Sequence, residues 1–205
     1  MDPTFSMLTK FNAITEGNHI RQKMSDLPLS IQVMKRIMNS REFEKLNGSD
    51  LLHLISTEFH AGMREKLETV NMQLATADRC EPENEELEFT LATLKSINEK
   101  FLEHVGKEER FLFPLISIAR KKESVESEKK NVAEFIVELK KEHNWLKNQL
   151  QLIRKATNDY QCQINSSPSH KLAYAQLHDL EQDFNRAFFV EEEYLFPRLL
   201  RIHHK

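Results

Sequence analysis

Residues 104–114 read His-Val-Gly-Lys-Glu-Glu-Arg-Phe-Leu-Phe-Pro, and Leu-Phe-Pro returns at 195–197. His104 and Glu108 are four apart, so on a helix they share one face, about one turn from each other. From Leu112 to Leu195 the offset is 83. The same offset carries Glu108 to Glu191, Glu109 to Glu192, Phe111 to Tyr194 and Phe101 to Phe184. It also carries His60 to His143, whereas His104 lands on Ala187. The chain therefore reads as two related helix hairpins, 51–121 and 134–203. Each has a histidine on its first helix and a polar cluster ahead of Leu-Phe-Pro on its second. Packing alone explains such a repeat poorly, because a core would repeat its apolar residues instead.

Four long segments carry the helical apolar period. The first runs from Asp50 to about Thr76, with Leu51, Leu52, Leu54, Ile55, Phe59 and Met63 on its buried face; Asn47-Gly48-Ser49-Asp50 supplies a break and a cap before it. The second spans Pro82 to Lys121, with Pro82 expected in the first helical turn. The third spans Ser124 to Asn158 and is followed by the polar loop Asn165-Ser166-Ser167-Pro168-Ser169. The fourth spans His170 to Ile202. Short polar connections between such helices predict an all-α, up-down-up-down antiparallel four-helix bundle over residues 50–205. Residues 1–49 read as an N-terminal helical extension, with a helix from Ile31 to Leu46.

Composition narrows the function classes. With 205 residues, 40% hydrophobic and 30% charged, the chain has the makings of a globular domain, and only 4 glycines and 6 prolines favour long helices. The net charge is −3 without a basic cluster, which argues against a nucleic-acid partner. No run reaches the roughly 18 apolar residues of a membrane span. The opening Met-Asp-Pro-Thr-Phe-Ser lacks the pattern of a signal peptide, so the expected location is the cytoplasm. Cys80 and Cys162 are too few for a disulfide framework and read as free thiols in a reducing compartment.

His104 and Glu108 can point together into the bundle, with Glu191 from the fourth helix and His60 and His143 from the other two. A buried cluster of imidazoles and carboxylates is costly unless a cation satisfies it. Nitrogen and oxygen donors without thiolate suit iron or manganese and also accommodate zinc. Glu108 and Glu191, related by the repeat, are the natural pair to bridge two metals. The blander reading of any one piece is a structural histidine or a surface His–Glu pair, and it is the matched set that points to metal. Pro114 and Pro197 fit helix kinks or ends, Phe111, Phe113, Phe188, Phe189 and Phe196 fit a core, and His53 fits a structural role. His178 is a candidate partner behind the cluster. His170, His203 and His204 read as solvated.

These residues resemble the hemerythrin-like group, and within it the iron–sulfur cluster repair di-iron proteins. The pieces are Leu51-Leu52-His53-Leu54-Ile55, Phe59-His60, Arg64-Glu65, His104-x-x-x-Glu108, Leu112-Phe113-Pro114, Glu142-His143, Leu177-His178-Asp179-Leu180-Glu181, Glu191 and Leu195-Phe196-Pro197-Arg198. The resemblance covers about residues 50–200. It implies a non-haem di-iron centre in a four-helix bundle, with His60, His104, Glu108, His143 and Glu191 as ligands. It also implies a role in restoring iron–sulfur clusters damaged by nitric oxide or oxidants, with iron–sulfur proteins as clients. The chain departs from the family pattern twice. Ala187 stands where a histidine is expected, and residues 1–49 hold no cysteine where the family often carries a paired-cysteine motif.

Ala187 admits three readings: a di-iron site with an open position, a single-iron site, or a degenerated structural bundle. Asp183, one turn before it, is a candidate replacement carboxylate. Four functional classes follow. Iron handling or cluster repair predicts loosely held ferrous iron. A module sensing dioxygen or nitric oxide predicts a reversible spectral change on exposure to the gas. A redox enzyme predicts turnover with a reductant. A metal-free interaction bundle predicts stability indifferent to chelators. The resemblance favours the first, with one or two non-haem iron ions.

Overall fold

A computed structural model describes residues 40–114 and 126–202, and the side chains of 43–114 and 132–201. Met1–Arg41 and Glu42–Lys205 are separate compact units. The first lies almost wholly outside the described residues, as do the expected helix from Ile31 up to residue 39, the end of the second predicted helix, and His203 and His204. No strand occurs among the described residues, and none of their helices is long and apolar enough to cross a membrane.

A short helix, α1 (Ser40–Lys45), precedes the bundle. Arg198 holds its end by donating to the carbonyls of Phe43 (2.8 Å), Glu44 (3.1 Å) and Leu46. Helix α2 (Gly48–Leu54) starts at Asn47, whose side chain accepts from the amides of Ser49 and Asp50. It runs through a π turn, Ile55–His60, into α3 (Ala61–Cys80). The first predicted segment is thus one continuous rod. Helix α4 (Glu85–Lys107) begins later than Pro82 because Asn84 caps it, and Glu83, at φ 70°, turns the chain just before. Helix α5 (Glu126–Ala156) ends in three left-handed residues, Asn158, Asp159 and Tyr160, which stop it short of the predicted end. Helix α6 (Pro168–Val190) opens with Ser167 capping the His170 amide and Pro168 in its first turn. Helix α7 (Phe196–Ile202) continues α6 after a second π turn, Glu191–Leu195.

Helix α3 packs on α4 and α6, and α5 packs on α4 and α6, which closes a four-membered ring around the core. Each rod contributes one stripe at helical spacing. On α3 it is Met63, Leu67, Val70, Leu74 and Ala77; on α4, Leu87, Leu94, Ile97 and Phe101. On α5 it includes Leu146, Leu150 and Ile153; on α6, Ala173, Leu177, Leu180, Phe184 and Ala187. All are buried. The stripes do not stay apolar. Toward one end of the bundle α3 continues backwards into His60, α4 forwards into His104 and Glu108, and α6 into Glu191, while His143 interrupts α5 between Leu139 and Leu146.

A third π turn, Glu108–Leu112, follows α4, so Glu108–Leu112 and Glu191–Leu195 recur at the offset of the sequence repeat. In each, the amide of the Phe in Leu-Phe-Pro bonds back five residues, Phe113 to Glu108 and Phe196 to Glu191. A proline follows each Phe. It lacks an amide and its ring crowds the carbonyl four residues earlier, so a regular turn there is disfavoured. The wider turn accommodates it, and such turns gather at functional sites.

Candidate metal centre

All five residues singled out by spacing meet in the bundle interior, each no more than 1% exposed. Their inward-facing atoms form a closed ring. His60 Nε2 lies 3.2 Å from Glu108 Oε2 and 3.2 Å from Glu191 Oε1. Glu108 Oε1 is 3.7 Å from His104 Nε2, which is 3.1 Å from His143 Nε2. His143 Nε2 closes the ring at 3.0 Å from Glu191 Oε2. His104, Glu108, His143 and Glu191 each offer a donor atom within 4.8 Å of the others.

Behind each imidazole stands a carboxylate at Nδ1. Glu142 accepts from His104 at 3.0 Å and Glu192 from His143 at 2.8 Å, while Glu109 lies 3.8 Å from His60. Behind the carboxylates stand cations: Lys100 and Lys107 on Glu142, Lys147 on Glu192, Arg64 on Glu109. The offset of 83 relates Arg64 to Lys147 just as it relates Glu109 to Glu192 and His60 to His143. The repeat therefore extends through imidazole, carboxylate and cation. Such partners fix a ring's tautomer and orientation and raise its basicity as a ligand.

The Leu-Phe-Pro motifs also find their role here. Phe113 stacks on His60, with ring centroids 6.1 Å apart and planes 7° apart, and Phe196 stacks on His143 at 5.8 Å and 16°. Phe188 covers the His143 ring at 4.0 Å, and the repeat mates Phe101 and Phe184 meet edge to face at 5.1 Å, with Phe101 also 6.3 Å from His60. These rings give the cluster apolar walls.

The electrostatics explain how the charges coexist. Burial opposes charge on His143, but Glu191 and Glu192 outweigh it and push its pKa up to about 9. Burial likewise opposes charge on His60, and Glu108, Glu109 and Glu191 hold it well above the ordinary histidine value. Burial would raise Glu191, but His143 and His60 keep it far below the usual carboxylate range. Protons on imidazole thus stand in for a cation. They leave the account incomplete, since both Glu108 carboxylate oxygens and His60 Nδ1 are buried without a hydrogen bond. Buried, orphaned carboxylate oxygens beside imidazole nitrogens are the donor set a divalent first-row metal takes, so these residues fit a metal.

Several expectations need correction. Asp183 pairs with Lys66, its side chain 41% exposed, and contributes nothing to the cluster. His178 stands beside Tyr160, with ring centroids 5.8 Å apart, and is not behind the His/Glu cluster. His170 is buried, not solvated, and lies 3.0 Å from Glu81. Phe111 and Phe189 are 59% and 48% exposed, so only some of the phenylalanines are core. The reading of Cys80 and Cys162 needs no correction: both are free thiols, as expected. Sequence reasoning gave no role to Glu109, Glu142 and Glu192 or to the cations behind them; the same offset carried the signal for two of the three carboxylates.

The Hemerythrin HHE cation binding domain matches residues 55–199, and the chain belongs to that family. Its cofactor is non-haem iron. The chain is 23% identical over 164 residues to the iron-sulfur cluster repair protein YtfE of Pectobacterium atrosepticum, covering 80% of this chain and 71% of that protein. It is 23% identical over 182 residues to a probable iron-sulfur cluster repair protein of Haemophilus influenzae, covering 88% and 76%. The YtfE protein of Yersinia pseudotuberculosis matches at 23% over 164 residues.

Proposed function

We propose that this chain handles iron in the repair of iron–sulfur clusters, with His60, His104, Glu108, His143 and Glu191 as its iron ligands. The observation that carries the assignment is the closed ring of five buried donors with the Glu108 oxygens orphaned. The names of the relatives support the repair role. Iron bound here supplies a redox-active and exchangeable cation. The chain's own residues do the rest. Glu142 and Glu192 aim the His104 and His143 imidazoles inward, and Phe113, Phe188 and Phe196 limit water at the rings.

The test is an anaerobic assay on a cluster enzyme inactivated by nitric oxide. The iron-loaded chain restores activity, while Glu108→Gln/Glu191→Gln, prepared identically, does not. Equal recovery with free ferrous iron at the same concentration would sink the repair role. A second reading, binding of nitric oxide or dioxygen, is favoured by Ala187, which leaves the centre one imidazole short of two-fold symmetry. It predicts a reversible change in the visible spectrum on gas exposure and no recovery of the damaged enzyme.

A further inference from the structure

We infer that the centre has two inequivalent iron positions, a tight one served by His104 and His143 and an exchangeable one served by His60 alone. The inference rests on the assignment of the five residues as iron ligands. The two carboxylates divide their oxygens between two sides. Glu108 turns Oε1 to His104 and Oε2 to His60. Glu191 turns Oε2 to His143 and Oε1 to His60. One side therefore collects two imidazoles, whose Nε2 atoms are 3.1 Å apart, and two carboxylate oxygens. The repeat maps His104 and His143 onto Ala187 and His60, so the other side collects one imidazole and two carboxylate oxygens.

The lost imidazole is not an isolated substitution. His104 is backed by Glu142, which is held by Lys100 and Lys107. The repeat mates of Glu142, Lys100 and Lys107 are Phe59, Asp183 and Val190. Phe59 packs against the apolar cluster that contains Ala187, Val190 is buried, and Asp183 is committed to Lys66. Had only the histidine been lost, a glutamate at position 59 would be left half-buried without its imidazole partner, at a cost. Ala187, Phe59 and Val190 are instead apolar and Asp183 is turned to Lys66, so the three-donor position is built into the packing. A position with fewer protein donors keeps room for water or another small ligand. A carboxylate behind a ligating imidazole is by itself worth about 10–100-fold in metal affinity, so losing imidazole and carboxylate together separates the two positions by about 100-fold or more. The His60 position is then the one from which iron is handed on.

The experiment is an anaerobic ferrous-iron titration against a competing chelator, with Mössbauer spectra of the loaded protein. It compares wild type, His60→Ala, His143→Ala and Phe59→Glu/Ala187→His. Expected for wild type is one tight equivalent and a second about 100-fold weaker or too weak to retain, with two unequal iron signals if both load. His60→Ala removes only the weak step, and His143→Ala brings the tight step down toward it. The double variant gains a second tight equivalent, a gain that misfolding cannot mimic. Two equal steps in wild type, loss of the tight step in His60→Ala, or no second equivalent in the double variant overturns the inference. If wild type binds no iron at all, the ligand assignment itself fails, an outcome separate from the other three.

Discussion

At the scale of single residues, the centre depends on groups that never face its interior. Glu192 accepts from His143 Nδ1 at 2.8 Å and is itself held by Lys147 at 3.1 Å. The imidazole draws the Glu192 carboxyl below its ordinary range, which keeps it an acceptor and fixes Nε2 as the inward nitrogen. Glu192→Ala is therefore expected to lower iron affinity by about 10–100-fold. Glu193→Ala, an exposed neighbour on the same π turn, leaves affinity unchanged. A competitive chelation assay on both variants checks this, and equal loss in the two would assign the effect to the turn instead of the hydrogen bond. Four of the five inward residues were legible in the sequence because the repeated offset pairs them, His60 with His143 and Glu108 with Glu191, and His104 was legible because it lies one turn before Glu108. The carboxylates behind them were not given roles, since Glu109, Glu142 and Glu192 sit among many acidic residues on charged helix faces. Only the rotation of each helix tells which carboxylate meets an Nδ1. Asp183 shows the limit of spacing arguments: it lies one turn before Ala187, yet it leans outward to Lys66.

Among the elements, the two ends of the bundle are held differently. At the end that gathers the five donors, π turns carry His60, Glu108 and Glu191, and sequence periodicity does not show them because the helix continues on either side with an apolar stripe. Only the prolines hinted at irregularity, and they read equally well as helix ends. At the far end, Glu81 ties the turn between α3 and α4 to the start of α6. It accepts from the Ser167 amide at 2.7 Å, the Asn84 side chain at 3.2 Å and His170 Nδ1 at 3.0 Å. Burial would raise its pKa, but Ser167 and His170 outweigh it and bring it to about 2. A depressed carboxyl contributes stability that is fully present above its ordinary value of 4.5 and is lost as pH falls toward about 2. Glu81→Gln should cost about 2 kcal/mol at pH 6, by the usual worth of hydrogen bonds to a charged group. The gap to wild type should close as pH falls through that window. Denaturant midpoints of both proteins at pH 6, 4 and 2.5 measure it, and a gap that stays constant with pH would show that Glu81 acts by packing alone. In the sequence His170 reads as solvated because a polar loop precedes it; its burial follows from a partner 89 residues away, which no local pattern reveals.

For the whole molecule, the centre and the core compete for the same interior. Three imidazoles and two carboxylates occupy positions on the stripes that elsewhere hold leucine and phenylalanine, so the metal-free bundle carries polar groups that burial penalises. The ion pairs of His143 with Glu191 and of His60 with Glu191 and Glu108 offset part of that penalty, yet both Glu108 oxygens and Glu191 Oε2 stay without a hydrogen bond. Iron that binds the folded ring and not the unfolded chain must then stabilise the fold by mass action. At about 100 times its dissociation constant, a bound ion contributes about 2.7 kcal/mol. In a unit of about 150–250 residues each kcal/mol moves the midpoint by roughly 2–4 °C, so anaerobic ferrous iron should raise Tm by about 5–10 °C. Glu108→Gln/Glu191→Gln should melt at one temperature with or without iron, because it keeps the shape of the ring and removes the charges that hold the ion. Its metal-free Tm should not fall far below that of metal-free wild type, since His60 and His143 shed their protons once the carboxylates that hold them charged are neutral, and no unpaired charge stays buried. A wild-type Tm indifferent to iron and chelator would mean that the cluster is held by its own hydrogen bonds. A large drop in the metal-free variant would mean that the ion pairs, not the metal, are what the fold requires.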